Sequence, residues 1–340
     1  MIEKKGSDLH IGAGSPPMIR VDGDLQPVGS EFLTAAQAET LCTEILSHEQ
    51  ITKLDEDREL DLAFQIDGLS RFRGNCFWQQ RSIAGAFRRI PFDIFTFEQL
   101  GLPGIAKEMT ERPNGLVLVT GATGSGKSTT LATMIDFINQ HKPYHIMTVE
   151  DPIEFVFSSK KSTVHQREVT RDTASFKNAL KYILRQDPDV VLIGEMRDLE
   201  TIQAAITIAE TGHLVFATLH TNAAVQTIDR IIDVFPAGQQ TQIRTQLSFV
   251  LQGIFCQQLL PKIGGGRTLS LEILNPTSAI RNLIREGKTH QLYAQMQVGQ
   301  GETFMQTMNQ SLAALAKTKK ISKETALEHS PDLDELKRML

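Results

Sequence analysis

The stretch Gly121-Ala-Thr-Gly-Ser-Gly-Lys-Ser128 matches the nucleotide-binding pattern G-x-x-x-x-G-K-[ST] at every fixed position, and it gives the strongest indication of the fold. The apolar run 115–120 before it is typical of a buried parallel strand. The segment 129–138 after it carries apolar residues at helical spacing. A strand, a glycine-rich loop and a helix in this order predict a site for a nucleoside triphosphate.

The residue types in this loop explain how it would hold phosphates. Its glycines let backbone N–H groups surround a phosphate without a Cβ in the way, and the next helix adds its positive N-terminal end. Lys127 is expected to reach the β- and γ-phosphates, and Ser128 to place its hydroxyl on Mg²⁺. The predicted nucleotide-binding residues here are Gly121, Ala122, Thr123, Gly124, Ser125, Gly126, Lys127, Ser128 and Thr129.

Bulk composition narrows the class of protein. A chain of 340 residues, 41% hydrophobic and 22% charged, predicts two domains of an ordinary globular protein. A net charge of −5 argues against nucleic acid as the main partner. The three cysteines form no C-x-x-C pair, which favours a reduced, cytoplasmic setting without a zinc site. No apolar run is long enough to span a membrane, and residues 1–6 are too polar for a signal peptide.

The first hundred residues predict a small α/β domain. Strand patterns occupy 7–11, 60–66 and 69–79, Asp22-Gly23 indicates a hairpin, and Thr34 is placed to cap a helix over 35–47. Arginines are dense on one strand face and just beyond it, at Arg71, Arg73, Arg81, Arg88 and Arg89. A solvated face explains any one of them, but their density favours a neighbouring carboxylate-rich or phosphate-bearing surface.

Beyond a proline-containing linker over 91–113, strand and helix patterns alternate. Short apolar runs at 146–149, 190–193 and 214–218 are separated by helical patterns at 175–185 and 199–210. Such alternation predicts a doubly wound, mostly parallel sheet, which binds ligands at the carboxyl ends of its strands. From Arg244 onward the pattern predicts mainly helix, apart from a turn and strand over 264–271.

Ionisable residues follow three of these strands directly. Glu150 and Asp151 follow the second, Glu195 and Arg197 the third, and His220 the fourth. Phosphoryl transfer requires a carboxylate that positions or deprotonates water, another near Mg²⁺, and cations that accept developing charge. We therefore assign Glu150 as general base, Glu195 as the metal-side carboxylate of a Walker B variant, and Asp151 as its support. Asp151 before Pro152 is also explained by a turn.

His220 and Arg197 complete the predicted catalytic set. His220 is placed to hydrogen-bond the γ-phosphate, although a lone histidine after a strand is more often structural. Arg197 is one of several arginines that are candidates for charge stabilisation, in cis or from a neighbour, the others being Arg167, Arg171, Arg185 and Arg230.

With these residues in view, the chain resembles the secretion-type ATPases, and most closely the PilT-type retraction motors of type IV pili. The resemblance rests on GATGSGKS, on TVEDPIEFV at 148–156, on GEMRDLETI at 194–202 and on GHLVFATLHTNAAVQTIDR at 212–230. The most discriminating segment is AIRNLIRE at 279–286. Its residues alone predict a short helix with two arginines four positions apart, which favours acidic neighbours or a partner.

The resemblance implies an α/β fold in two parts. A PAS-like α+β domain would span 1–97, and a RecA-like P-loop ATPase domain 98–340, with a nucleotide-binding core at 114–262 and a helical region at 275–340. The family's first helix is expected to be short or missing, because the chain begins close to Gly6-Ser-Asp-Leu-His10.

The resemblance also implies a cytoplasmic homohexamer that binds ATP and Mg²⁺ between its domains. Further candidates to reach the nucleotide are Arg71, Arg73, Arg81 and Arg88. The partner of the hexamer would be a platform protein of the inner membrane, and its output pilus retraction and twitching motility.

Three other functions remain open at this point. The first is a related pilus assembly or secretion ATPase, disfavoured because the four-cysteine zinc site of those relatives is missing and AIRNLIRE is present. The second is a ring subunit that binds ATP with little turnover, disfavoured by the presence of Lys127, Glu150 and Glu195. The third is a DNA-translocating motor, which the acidic composition disfavours.

Overall fold

The structure is a computed structural model that describes residues 1–4, 6–21, 23–66, 69–90, 94–298 and 303–340. The chain divides into two units, Met1–Asp93 and Ile94–Leu340. Asp22 of the predicted hairpin and Pro91 of the predicted linker lie outside the described residues. Within the ranges given above, no helix combines the length and apolar character that a membrane crossing requires.

The first unit is built on an antiparallel sheet. Its described strands pair in the order β3-β2-β1-β6-β5-β4. Two helices accompany the sheet, and each has a capping box at its first turn, from Thr34 and Ser47. The elements are β1 Asp8–Ile11, β2 Met18–Val21, β3 Asp24–Pro27, α1 Ala35–Thr43, α2 His48–Asp57, β4 Glu59–Ile66, β5 Ser70–Gln79 and β6 Ser82–Ile90.

Strands β1, β4 and β5 confirm the predicted strand patterns, and β2 pairs with β3 as the predicted hairpin requires, whereas β6 and α2 were not predicted. The helix prediction over 35–47 was wrong at its end. The helix ends at Thr43, because Ser47 caps α2 instead. The buried face of α1 consists of Ala38 and Cys42.

Gly85 on β6 is required by close packing in the core of this unit. A Cβ at this position would lie 2.6 Å from the ring of Phe87 and 2.9 Å from the sulfur of Cys42. We expect Gly85→Ala to lower the free energy of unfolding by about 1–3 kcal/mol, measured by denaturant titration. Gly104→Ala is the matched control, since nothing lies within 4 Å of that position. Equal stability of the two variants would contradict the packing argument.

The second unit is built on a mostly parallel sheet. Among the described residues its strands pair in the order β13-β12-β7-β11-β10-β8-β9, and only β12 and β13 pair antiparallel. The strands are β7 Gly115–Thr120, β8 His145–Glu150, β9 Thr163–Glu168, β10 Val190–Ile193, β11 Leu214–Leu219, β12 Leu251–Pro261 and β13 Arg267–Leu274.

Helices cover both faces of this sheet. Leu116 and Leu118 of β7 join one hydrophobic cluster, whereas Val117 and Val119 join another on the opposite face. The helices are α3 Phe97–Leu100, α4 Gly104–Thr110, α5 Lys127–His141, α6 Phe176–Ile183, α7 Leu199–Glu210, α8 Ala224–Asp233, α9 Ala237–Val250, α10 Ser278–Arg285, α11 Leu292–Val298, α12 Met308–Lys317, α13 Lys323–Glu328 and α14 Leu333–Met339, with a 3₁₀ turn at Thr289–Gln291.

Two strands of the second unit escaped the sequence prediction. The expectation of mainly helix after Arg244 is confirmed for the described residues from Ser278 onward, but it missed β12, whose eleven residues form a strand beside β7. No glycine or proline separates α9 from β12, so the apolar pattern runs on without a visible break. The other strand, β9, lies at the edge of the sheet and consists largely of polar residues.

Candidate nucleotide-binding and catalytic site

The glycine loop connects β7 to α5 at the carboxyl edge of the parallel sheet. Gly121 adopts a φ of 142°, and a Cβ there would lie 2.4 Å from the carbonyl oxygen of Gln257 on β12. Gly126 forms the N-cap of α5 with a φ of 87°. The first glycine is thus fixed by the close approach of a neighbouring strand, and the last by the turn into the helix.

Lys127 is folded back into the loop that it serves. Its Nζ donates to the carbonyl oxygens of Gly121 at 2.9 Å and Ala122 at 3.0 Å, and the residue is only 9% exposed. Burial lowers the pKa of this ammonium, while the carboxylates of Glu195 and Glu154 oppose the shift. The geometry holds a cation at the centre of a loop whose N–H groups suit an anion.

Glu150 ends β8 and is 8% exposed. Burial raises the pKa of its carboxyl group to about 7, although three donors oppose this shift: the Thr148 hydroxyl at 2.6 Å, the Gln166 amide at 3.2 Å and the backbone N–H of Glu154. A carboxylate with a pKa near neutrality suits a general base. A small cavity of about 30 Å³ is lined by this residue together with Ser128, Gly194 and Thr218.

This geometry predicts a pH dependence for any hydrolysis at the site. Because the base must be ionised, kcat/KM for the nucleotide should rise as the pH passes through about 7. Thr148→Val removes a donor to the charged form, so this rise should move to higher pH by about one to two units. Thr110→Val is the control, because that buried hydroxyl donates to the carbonyl of Lys107. An unmoved profile in Thr148→Val would exclude Glu150 as the titrating base.

Glu195 follows β10 and forms two contacts across the strand ends. Its Oε2 lies 2.8 Å from Nε of Arg197, and its Oε1 lies 3.2 Å from Nε2 of His220. The two strand ends are also tied together, since the hydroxyl of Thr218 donates to the carbonyl of Gly194. Carboxylate, imidazole and guanidinium therefore form one cluster at the carboxyl edge of β10 and β11.

The structure brings most of the predicted site residues together. The loop residues, Glu150 and the cluster of Glu195, Arg197 and His220 all lie at the carboxyl ends of β7, β8, β10 and β11. Asp151 follows Glu150 directly and is exposed.

The predicted arginines of the first unit lie on its sheet. Arg71 and Arg73 are on β5, Arg81 is in the turn to β6, and Arg88 is on β6, where it faces Arg73 and pairs with Asp8 at 2.7 Å.

The site offers a fitting environment for a triphosphate and Mg²⁺. Ser125 Oγ is buried without a hydrogen-bond partner among the described residues, in the loop that surrounds Lys127. Among all residues that the structure describes, no group of three or more His, Cys, Asp or Glu side chains is placed to bind a metal ion without other ligands. Mg²⁺ is commonly held by one or two protein oxygens plus phosphates and water, which Ser128, Glu195 and Asp151 can supply.

Several contacts at the site escaped the sequence reasoning. Gln257 of β12 donates to the carbonyl of Ser125 at 2.8 Å and thereby fixes the glycine loop from a strand 132 residues away. Gln166 of β9 donates to Glu150, and the charge of Glu154 acts on Lys127. Gln166 and Gln257 lie in the two strands that the pattern does not predict, whereas Glu154 lies in the segment TVEDPIEFV, where the pattern alone indicates no role for it.

Comparison with known proteins agrees with this geometry. Residues 96–265 match the family described as Type II/IV secretion system protein. The chain is 52% identical over 322 residues to the type IV pilus retraction ATPase PilT of Pseudomonas aeruginosa, covering 95% of this chain and 93% of that protein. The chain belongs to the type II/IV secretion system protein family, in its PilT-type branch.

A second relative and a solved structure show the same similarity. The chain is 49% identical to a twitching motility protein of Neisseria gonorrhoeae, covering 91% of this chain and 83% of that protein. The crystal structure of the pilus retraction motor PilT with bound ADP superimposes with a TM-score of 0.92 at 52% identity, covering 99% of this chain and 96% of that one. The expected class of fold, an antiparallel N-terminal unit followed by a P-loop unit with a parallel-rich sheet, is thereby confirmed.

Proposed function

We propose that this protein is an ATP-hydrolysing motor that powers retraction of type IV pili and hence twitching motility. The observation that carries the proposal is that Lys127, Glu150 and Glu195 lie at the same edge of a parallel sheet. The chain that contains them matches PilT over nearly its whole length. A buried carboxylate with a pKa of about 7, at the same sheet edge as the glycine loop, favours hydrolysis over nucleotide binding without turnover. The likeness to the retraction ATPase gives no support to the assembly alternative.

Each residue of the site is assigned one role in phosphoryl transfer. Lys127 and the N–H groups of the glycine loop bind the β- and γ-phosphates. Ser128 and Glu195, with support from Asp151, would hold Mg²⁺, which neutralises charge on the phosphate oxygens when bound. Glu150 accepts the proton of the attacking water. Arg197 and His220 stand beside Glu195 to stabilise charge that develops on the γ-phosphate.

The working form is proposed to be a homohexamer in the cytoplasm, docked on a platform protein of the inner membrane. In such a ring, Arg71, Arg73, Arg81 and Arg88 are candidates to approach nucleotide. Arg73 and Arg88 lie opposite each other on neighbouring strands, and Asp8 forms an ion pair with Arg88. Two cations facing each other on exposed strands favour an anionic partner such as a phosphate group.

Helix α10 contains most of the AIRNLIRE segment, and variants of this helix can test whether the protein acts in retraction. Thr277 caps it, and Ile280 and Ile284 are fully buried in the main core cluster. The sequence favours acidic neighbours or a partner for its two arginines. Arg281 instead donates to the backbone carbonyls of Ser248 and Phe249 at 2.7 and 3.0 Å, whereas Arg285 lies near the carboxylate of Glu286. Deletion of the whole segment would therefore remove core residues as well as any docking surface.

A substitution on the exposed face separates these two effects. The guanidinium of Arg285 lies 5.9 Å from the centre of the Phe249 ring, and Phe249 is 63% exposed. An exposed aromatic ring beside an arginine has the composition of an interaction hot spot. We expect Phe249→Ala with Arg285→Ala to abolish surface motility while stability stays within about 0.5 kcal/mol and ATP turnover persists. The measurement is complementation of a retraction-deficient strain.

Ile263→Ala is the matched control, because Ile263 is 59% exposed on the β12–β13 turn. Normal motility of the double variant would remove α10 from the retraction function.

A further inference from the structure

A single buried carboxylate contacts the first residues of two helices in the second unit. Glu272 lies on β13 and is only 2% exposed. Its Oε1 accepts the backbone N–H of Ala224 at 2.7 Å, and its Oε2 accepts the backbone N–H of Met308 at 3.4 Å. These two N–H groups belong to the first residues of α8 and α12, so one side chain meets the positive ends of two helices.

Helix α8 depends on this contact for its capping. Its N-cap residue is Ala223, which has no side chain that can accept a hydrogen bond, whereas Thr307 caps α12 with a complete capping box. Glu272 therefore serves α8 from a neighbouring strand. Burial raises the pKa of Glu272, and the two N–H donors oppose the shift.

The start of α8 is only a few residues from the catalytic cluster. His220, four residues before Ala224, lies 3.2 Å from Glu195, and the hydroxyls of Thr221 and Thr227 are 2.6 Å apart. A shift of His220 on nucleotide binding or phosphate release would move the N–H group on which Glu272 depends. The carboxylate would then favour α12 over α8, or the reverse.

The surroundings leave room for such a movement. A cavity of about 640 Å³ is lined by residues of both helix starts, by Glu272 and by residues 328–332. The start of α12 also contacts a second buried carboxylate, Glu335, which accepts a hydrogen bond from the Asn309 side-chain amide.

We propose that Glu272 is a positioning residue that transmits the state of the nucleotide site, through the start of α8, to the C-terminal helices α12–α14. The support is geometric: two helix N-termini share one buried acceptor, and only one of them has another cap. The inference rests on the proposed nucleotide binding, so the experiment measures binding and transmission separately.

The test is amide hydrogen exchange of the full chain with and without ADP, read in peptides that cover 220–228 and 306–313. In the wild type, ADP should slow or speed exchange in both peptides. In Glu272→Gln, the amide group can accept only one of the two N–H groups, and its NH₂ repels the other. ADP should still bind and alter 220–228, while the response of 306–313 falls by at least about fivefold, the lower end of typical coupling factors.

Two further variants separate transmission from mere support. Glu335→Gln removes another buried carboxylate that touches α12 but not α8, and it should leave the response of both peptides in place. The double variant E272Q/A223S gives α8 its own cap, so it should regain thermal stability without regaining transmission.

The outcomes are distinguishable. A wild type that binds no ADP would overturn the proposed function, and the transmission with it. ADP binding with an unchanged response of 306–313 in Glu272→Gln would overturn the transmission alone. The transmission is likewise overturned if Glu335→Gln loses the response equally, if E272Q/A223S restores it, or if that double variant does not fold, since Glu272 would then be purely structural.

Discussion

Replacement of Glu150 by glutamine is expected to lower kcat for ATP hydrolysis by about 10²–10⁴-fold, the usual contribution of a general base. Glutamine keeps the shape of the side chain and can still accept from the Thr148 hydroxyl, but it cannot take a proton from water at neutral pH. Nucleotide affinity should stay nearly unchanged, because the phosphates are held by the glycine loop and Lys127. The measurement is steady-state phosphate release beside a fluorescent-nucleotide titration.

The control for this variant is Glu335→Gln, which removes a buried carboxylate outside the catalytic cluster. It should turn over ATP at close to the wild-type rate. Full activity of Glu150→Gln would show that another group is the general base. Glu195, the other carboxylate of the predicted catalytic set, would then be the first candidate.

Replacement of Lys127 by methionine is expected to weaken ATP binding by about 10- to 100-fold, the range for a lost hydrogen bond to a charged group, and to abolish turnover. Methionine preserves much of the apolar stem but removes the only side-chain cation held within the loop among the described residues. The carbonyls of Gly121 and Ala122 lose their donor at the same time. Titration with ATP and with ADP would show the larger loss for ATP, because Lys127 reaches the γ-phosphate.

Lys107→Met provides the same change of charge on α4, where the ammonium lies 4.8 Å from the centre of the Phe137 ring. It should bind nucleotide normally. Wild-type affinity in Lys127→Met would mean that the loop amides alone hold the phosphates.

The pattern of the sequence predicted the parts of the fold whose local signals are strong. β10 and α7 have the predicted bounds, and β7 and β11 differ by no more than one residue. Each is an apolar run or an amphipathic stretch with clear ends. β9 and β12 were missed because an edge strand needs little apolar character and because β12 follows α9 without a break.

At the site as well, residues with a strong local signal could be predicted, whereas contacts between distant residues could not. Lys127, Glu150, Glu195 and His220 could be placed together because parallel strands end at one edge of a sheet. The contacts of Gln257 with Ser125 and of Glu272 with Ala224 join residues 132 and 48 positions apart, and no local pattern reveals them. The partner of Arg281 was also hidden, since backbone carbonyls carry no signature in a sequence.

Phosphate release by the purified protein, with particle mass recorded in the same sample, shows most directly whether this chain is a ring-forming ATPase. We expect hexamers that release phosphate from ATP continuously, with loss of that activity in Glu150→Gln hexamers of the same mass. Hexamers that bind ATP and release no phosphate would contradict the proposed motor function and leave a nucleotide-binding ring subunit in its place.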